Sequence, residues 1–169
     1  EFDLSKLNTI VCSTPSGAIL IDPGSMGFNG QGFSLARLTT QRILAIVVTH
    51  GHLDHWNHLG ETGGPVFMTK LAYQLASRHA AWQSVGRLVG ALRRTTLVAP
   101  GEPILLDGLP VKIDTFSLPH SIPETMGLVI RGQRERLVCL GDFKFNGMEP
   151  RQKAEAIAAL SRIAQEPVD

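Results

Sequence analysis

The chain has 169 residues, of which 43% are hydrophobic and 18% charged, and a formal net charge of +1. This composition provides for one substantial core and favours a single domain over residues 1–169, while the small net charge excludes an overall basic field for nucleic acid. The two cysteines exclude a disulfide framework and nearly exclude a thiolate zinc site. No apolar run approaches the roughly 20 residues needed to cross a bilayer, so we predict a soluble, cytoplasmic protein.

The pattern of apolar residues predicts short strands interrupted by a few helices, an order that suits a layered α/β sandwich. The predicted strands are 9–13, 18–21, 43–48, 65–68, 104–106, 111–118, 128–131 and 137–140. A glycine-rich loop at 24–32, which lacks the ending of a phosphate-binding P-loop, precedes a short helix near 35–41. Further helices are predicted at 55–59, 70–89 and 151–165. Thr69 is placed to cap the helix at 70–89, whose predicted core face is Leu71, Leu75, Trp82, Val85 and Val89.

The run His50-Gly51-His52-Leu53-Asp54-His55 directly follows a predicted strand and concentrates three imidazoles and a carboxylate in six positions. Such a density is difficult to explain except by metal binding. His50 and His52 occupy alternate extended positions and can point at one ion, whereas Asp54 and His55 follow the turn and could serve a second ion. Histidine with carboxylate is typical of catalytic zinc sites, which keep a coordination position open for water.

Three further polar residues also stand where short extended segments end. His120 follows the segment 113–118, and Asp142 follows 137–140. Asp22 follows 18–21 and begins the turn Asp22-Pro23-Gly24. The sequence therefore predicts four strand ends that each carry a candidate site residue.

These residues resemble the motifs of the metallo-β-lactamase superfamily, with HxHxDH at 50–55, a later histidine at His120 and the pair Gly141-Asp142. The segment HSIPETMG at 120–127 is similar to the HSIP(D/E)xxG segment of RNase J-type nucleases, and GDFKF at 141–145 is similar to theirs. The resemblance extends from about Asp22 to Phe145. It implies an α/β fold, the αββα sandwich of the superfamily, in an incomplete form.

The resemblance also implies a dinuclear site, in which two Zn²⁺ ions, or Mn²⁺ in their place, hold a hydroxide that attacks an RNA phosphodiester. One ion would be bound by His50, His52 and His120. The other would be bound by Asp54 and His55, with Asp142 bridging the pair. Catalysis would rest on three of these ligands, Asp54, His120 and Asp142, of which Asp54 also orients the hydroxide.

Two residues beside the implied ligands have alternative interpretations. The resemblance implies that Asp22 holds ligand histidines in place, and the alternative is an ordinary turn aspartate. Ser121 either donates a hydrogen bond to a phosphate oxygen or only shapes its loop. His58 is interpreted as a surface or supporting residue, because the motif already fills its positions.

RNase J-like enzymes continue through a β-CASP domain and a returning metallo-lactamase portion, and this chain contains neither. We therefore expect this chain to be an N-terminal portion of a larger enzyme and to bind fewer than two ions tightly. Whether the isolated chain is active stays open. RNA is the expected partner, and the formation of a homo-oligomer stays an open alternative. The arginines between 87 and 94 and between 131 and 136 are interpreted as solvated surface rather than phosphate contacts.

Two other functions stay open at this point, because a fold does not fix a substrate. The first is a small-molecule hydrolase of the same superfamily that acts on a thioester or a lactone. The second is a catalytically silent module that binds metal through the same cluster.

Overall fold

The computed structural model describes residues 8–26, 38–83, 85–133 and 135–165. These residues belong to two compact units, Glu1–Ala99 and Pro100–Asp169. The predicted glycine-rich loop and the helix that follows it lie largely outside the described residues. The single domain over 1–169 stays a prediction.

The first unit contains a five-stranded sheet in the order β1-β2-β3-β4-β5. Its strands are β1 (Ile10–Thr14), β2 (Gly17–Ile21), β3 (Ile43–Val48), β4 (Val66–Met68) and β5 (Thr95–Leu97). β1 and β2 form the predicted antiparallel hairpin, and β2 to β5 are parallel. β2 is buried along its whole length and β3 at every residue after Ile43, as their continuous apolar runs require of parallel strands. Because parallel strands end at the same edge, Asp22 and Thr49 lie next to each other there.

Two helices follow β4, α1 (Lys70–Gln83) and α2 (Gly86–Leu92), where the sequence predicted one continuous helix at 70–89. The chain leaves the helical conformation at Val85, which has φ −85° and ψ 85° and precedes Gly86, a residue with low helix propensity. As predicted, Thr69 caps α1, because its hydroxyl accepts a hydrogen bond from the backbone N–H of Ala72 at 3.3 Å.

The predicted core face of α1 is wrong. The residues that α1 buries are alanines spaced four apart, Ala72, Ala76 and Ala80. They pack in one cluster with Leu20, Ile46 and Met68 of the sheet and with Leu88 and Leu92 of α2. Trp82, predicted to lie in the core, is 81% exposed. Small alanine side chains let the helix backbone approach its neighbours closely, and this turns the larger Trp82 outwards.

The second unit contains a three-stranded antiparallel sheet and one helix. Its elements are β6 (Lys112–Ser117), β7 (Met126–Arg131), β8 (Arg136–Cys139) and α3 (Pro150–Gln165). The predicted strand at 104–106 is reduced to a single bridge between Ile104 and Ile113. Gly127 of β7 lies against the ring of Phe116, where any Cβ would collide with that ring.

The α/β class is confirmed, since each unit combines a sheet with helix. Among the described residues, no helix has the length and apolar character that spanning a membrane requires.

Candidate metal centre

The predicted ligand loop begins at Thr49, immediately after β3, and ends in a 3-10 helix at Leu53–His55. A second 3-10 helix follows at Leu59–Glu61, so the helix predicted at 55–59 is replaced by two single turns. His50 and His55 are buried, whereas His52 and Asp54 are partly exposed. The loop therefore presents two imidazoles from inside the unit and two ligand candidates nearer its surface.

Asp22 connects β2 to this loop. It is 2% exposed, and its backbone N–H donates to the carbonyl of Val47 at 2.9 Å, which continues the pairing of β2 with β3. Its carboxylate accepts hydrogen bonds of 2.7 Å from the backbone N–H and from the hydroxyl of Thr49. The same carboxylate lies 2.9 Å from Nδ1 of His55. Since a carboxylate can only accept, Nδ1 of His55 carries the proton in this hydrogen bond.

The hydrogen bonds of Asp22 and Thr49 assign the tautomers of two histidines. The single hydroxyl hydrogen of Thr49 is donated to Asp22, so the hydroxyl oxygen accepts from Nδ1 of His50, at 3.0 Å. In a neutral ring, Nε2 of His50 therefore carries the lone pair, and the same argument applies to Nε2 of His55. Metal-binding histidines need this arrangement, with one nitrogen held as a donor and the other aimed at the ion.

The interatomic distances fit a divalent metal. Two ligand atoms that each lie about 2.0 to 2.2 Å from one ion can be separated by at most roughly 4.4 Å. Nε2 of His50 lies 3.0 Å from Nδ1 of His52, and Nε2 of His55 lies 3.8 Å from a carboxylate oxygen of Asp54. Within the first unit the donor types and their spacing therefore suit a metal.

The second unit brings together the other two predicted ligands. β6 and β8 run in the same direction on either side of β7, so the residues that follow them meet at one end of the sheet. Nε2 of His120 lies 3.9 Å from a carboxylate oxygen of Asp142. The backbone N–H of Lys144 donates to the carbonyl of Pro119 at 2.7 Å, which ties the two segments together. Ser121 is exposed.

The structure thus places the predicted site residues in two sets, one in each unit. The first set is Asp22, His50, His52, Asp54 and His55, and the second is His120 and Asp142 with Ser121 beside them. That both sets bind the same pair of ions stays a prediction.

Several supporting residues were not found from the sequence. Nε2 of His58 lies 2.9 Å from the hydroxyl of Ser25, and Nδ1 lies 3.3 Å from the carboxylate of Glu61. The side chain of Asn57 makes two hydrogen bonds of 3.0 Å with the backbone of Ser25. His58 is 3% exposed, so of its two interpretations the structure favours the supporting role over the surface one.

These contacts join the turn after β2 to the segment after the histidine motif. The backbone N–H of His58 donates to the carbonyl of Pro23 at 3.0 Å, and Gly24 lies so close to the backbone of Asp54 that a Cβ would collide with it. Asn8 donates to the carboxylate of Asp54 at 2.9 Å. The partners lie 32 to 46 residues apart in the sequence, where no periodicity signals their contact.

A family model described as the β-lactamase superfamily domain matches residues 18–162. The chain belongs to this superfamily. It is 31% identical over 131 residues to ribonuclease J of Corynebacterium glutamicum, an alignment that covers 76% of the chain and 17% of the relative. It is also 30% identical over 113 residues to ribonuclease J 1 of Streptococcus pyogenes, covering 62% of the chain and 18% of the relative.

Among solved structures, a metallo hydrolase from the archaeon Ignicoccus hospitalis superposes with a TM-score of 0.55 and 18% identity, over 82% of this chain and 58% of that one. A likeness at this identity concerns the fold alone. The matched part spans less than a fifth of the length of the two ribonucleases J. The predicted resemblance to the superfamily is confirmed.

Proposed function

We propose that this chain contributes a metal-binding portion of a ribonuclease of RNase J type, and that the parent protein hydrolyses RNA phosphodiesters. The observation that supports the proposal is the pair of hydrogen bonds at Nδ1 that leaves Nε2 of both His50 and His55 available to a metal. The choice of RNA rests on the similarity to proteins named ribonuclease J.

In this proposal the ligands are those predicted from the sequence. As the resemblance implies, His50, His52 and His120 would hold one ion and Asp54 and His55 the other, with Asp142 as a shared ligand. Zn²⁺ suits these nitrogen and oxygen donors, with Mn²⁺ as the alternative. A bound divalent metal supplies Lewis acidity, which lowers the pKa of water and stabilises charge on the phosphodiester.

The residues of the chain act through position and hydrogen bonding. Asp22 holds His55 directly, and it holds His50 through the hydroxyl of Thr49. These hydrogen bonds use Nδ1 of each ring and leave Nε2 available for a metal. Asp54 accepts a hydrogen bond from Asn8, and its partly exposed carboxylate can also accept one from the attacking water and so orient it. The exposed hydroxyl of Ser121 can donate a hydrogen bond to a phosphate oxygen.

The test uses the parent protein and a single-stranded RNA with a 5′-monophosphate. We expect cleavage that a chelator abolishes and that added Zn²⁺ or Mn²⁺ restores. The variant His50→Ala should lose this cleavage, whereas Arg151→Gln, a change at an exposed position of α3, should keep it. Absence of chelator-sensitive RNA cleavage, with turnover of thioester or lactone substrates instead, would refute the proposed substrate class.

A further inference from the structure

Charge is unevenly distributed along the chain. Residues 62–101 contain five lysines and arginines and no aspartate or glutamate, although the whole chain has a net charge of only +1. The cations are Lys70, Arg78, Arg87, Arg93 and Arg94. Because this stretch includes α1 and α2, the helical part of the first unit has a local positive charge that the overall composition conceals.

An exposed tryptophan lies within this cationic region. Trp82 is 81% exposed near the end of α1, and Arg78, also exposed, precedes it by four residues and so lies on the same side of the helix. Arg87 is exposed on α2. We call Arg78, Trp82 and Arg87 the basic face. A lone exposed apolar side chain is ordinary on a protein surface, so the interest of Trp82 lies in its position beside Arg78 within a stretch that has no aspartate or glutamate.

A cavity of about 130 Å³ adjoins the basic face. Arg87 and His79, from α2 and α1, both line it, together with the buried indole of Trp56. The ring of His79 lies edge-on to that of Trp56, at a centroid distance of 5.4 Å. The acidic residue at this cavity is Glu61, whose carboxylate lies 3.3 Å from Nδ1 of His58. The surroundings of Arg87 thus include two aromatic rings, those of His79 and Trp56, and one carboxylate that lies beside His58.

We propose that the basic face binds single-stranded RNA, with the ring of Trp82 stacked on a base and Arg78 and Arg87 contacting the phosphates on either side. This inference takes its ligand from the proposed function. Arginine makes paired hydrogen bonds to phosphate oxygens, and aromatic rings stack on bases of any sequence. An exposed ring with an arginine four residues before it on the same helix suits this ligand better than a lipid surface, which would require a broader apolar face.

The test measures fluorescence anisotropy of a 12-nucleotide single-stranded RNA with the 169-residue chain in chelator, so that no cleavage occurs. Trp82→Ala should weaken affinity about 5- to 150-fold, because stacking of one base is worth about 1 to 3 kcal/mol. Trp82→Phe should retain most of the affinity, because an aromatic ring remains. Arg78→Gln or Arg87→Gln should each reduce the slope of log affinity against log salt by about 0.7.

The matched control is Arg151→Gln, which removes an arginine that is 91% exposed on α3. It should leave both affinity and salt slope unchanged. Binding of RNA should also quench tryptophan emission in the wild type and not in Trp82→Phe, since Trp56 is buried. Thermal unfolding checks that each variant keeps its fold. If Trp82→Ala is unstable, Trp82→Phe still tests whether an aromatic ring at this position is sufficient for RNA binding.

The inference is overturned if Trp82→Ala binds RNA like the wild type, or if Arg151→Gln weakens binding as much as Arg78→Gln. Preference for phosphatidylglycerol vesicles over RNA would also overturn it. Because the anisotropy assay is run in chelator and does not depend on cleavage, the basic face can be correct even if the parent protein does not cleave RNA. Cleavage by the parent with binding insensitive to Trp82→Ala would refute the basic face alone.

Discussion

Replacing Asp22 by asparagine tests the central element of the metal centre. The carboxylate of Asp22 accepts from the backbone and hydroxyl of Thr49 and from Nδ1 of His55. An asparagine retains one acceptor oxygen. Its NH₂ group takes the place of the other carboxylate oxygen, the one that faces both the hydroxyl of Thr49 and Nδ1 of His55. Donor then meets donor, and the ring of His55 relieves the conflict by moving its proton to Nε2 or by rotating.

Either response removes a metal-binding nitrogen in its correct orientation. Loss of a partner that orients a ligand histidine typically weakens metal binding 10- to 100-fold, which corresponds to about 1.4 to 2.7 kcal/mol. Loss of hydrogen bonds to a charged acceptor should also lower the free energy of unfolding by about 1.5 to 3 kcal/mol. We therefore expect Asp22→Asn to weaken Zn²⁺ binding at least tenfold while the chain remains folded.

The assay is competition of the purified chain with a chromophoric Zn²⁺ chelator at pH 7.5, with unfolding in urea measured in parallel. The control is Asp107→Asn, the same chemical change at an exposed turn of the second unit. Thr49→Val should reproduce part of the loss because it removes the acceptor of His50, whereas Thr49→Ser should restore it. Zn²⁺ affinity of Asp22→Asn within twofold of the wild type would refute the assignment of the tautomers.

Three further predictions concern the surroundings of the site and the second sheet. Gly24→Ala should lower the free energy of unfolding by about 1 to 3 kcal/mol in urea denaturation, because its Cβ meets the backbone of Asp54; an unchanged midpoint would contradict this contact. His58→Leu should lower the free energy of unfolding by about 1 to 3 kcal/mol, because Ser25 and Glu61 lose their contacts with this histidine. His79→Leu is the control, and an equal loss of stability in both variants would argue against the role of these contacts. Burial raises the pKa of Asp114, but hydrogen bonds from Lys112 and Arg131 outweigh it, so the pKa lies below its ordinary value. Asp114→Asn should therefore lower the free energy of unfolding by about 0.5 kcal/mol at pH 7. The difference between variant and wild type should shrink as pH falls from about 5 towards 3, because protonation of Asp114 removes the same contribution from the wild type. A difference that grows on acidification would contradict the direction of the pKa shift.

Local apolar runs were sufficient to predict most strands. The run at 43–48 coincides with β3, because six consecutive apolar residues after a polar stretch suit a strand buried on both faces. The helix at 70–89 was predicted less well, since its large apolar residues were taken as the core face. Alanines form that face instead, and a pattern that ranks residues by size cannot identify a helix packed through small side chains.

The ligand loop was predictable because His50, His52 and His55 are close in sequence and their spacing alone indicates metal. The residues that hold the loop were harder to find. Ser25 and His58 are 33 positions apart, and Asn8 and Asp54 are 46 apart. Their contacts depend on how the turn after β2 folds over the histidine motif, which only the three-dimensional structure specifies.

The register of the parallel sheet determines the chemistry of the histidines. Ile21 pairs with Val47, so Asp22, one residue after Ile21, and Thr49, two residues after Val47, come within hydrogen-bond distance at the sheet edge. A shift of one residue between β2 and β3 would separate the carboxylate from Thr49 and would turn the side chains of the shifted strand to the opposite face of the sheet. The apolar residues of β2 and β3 therefore do more than stabilise the core. By fixing this register they set which nitrogen of His50 carries its proton, and through it the capacity of the loop to bind metal.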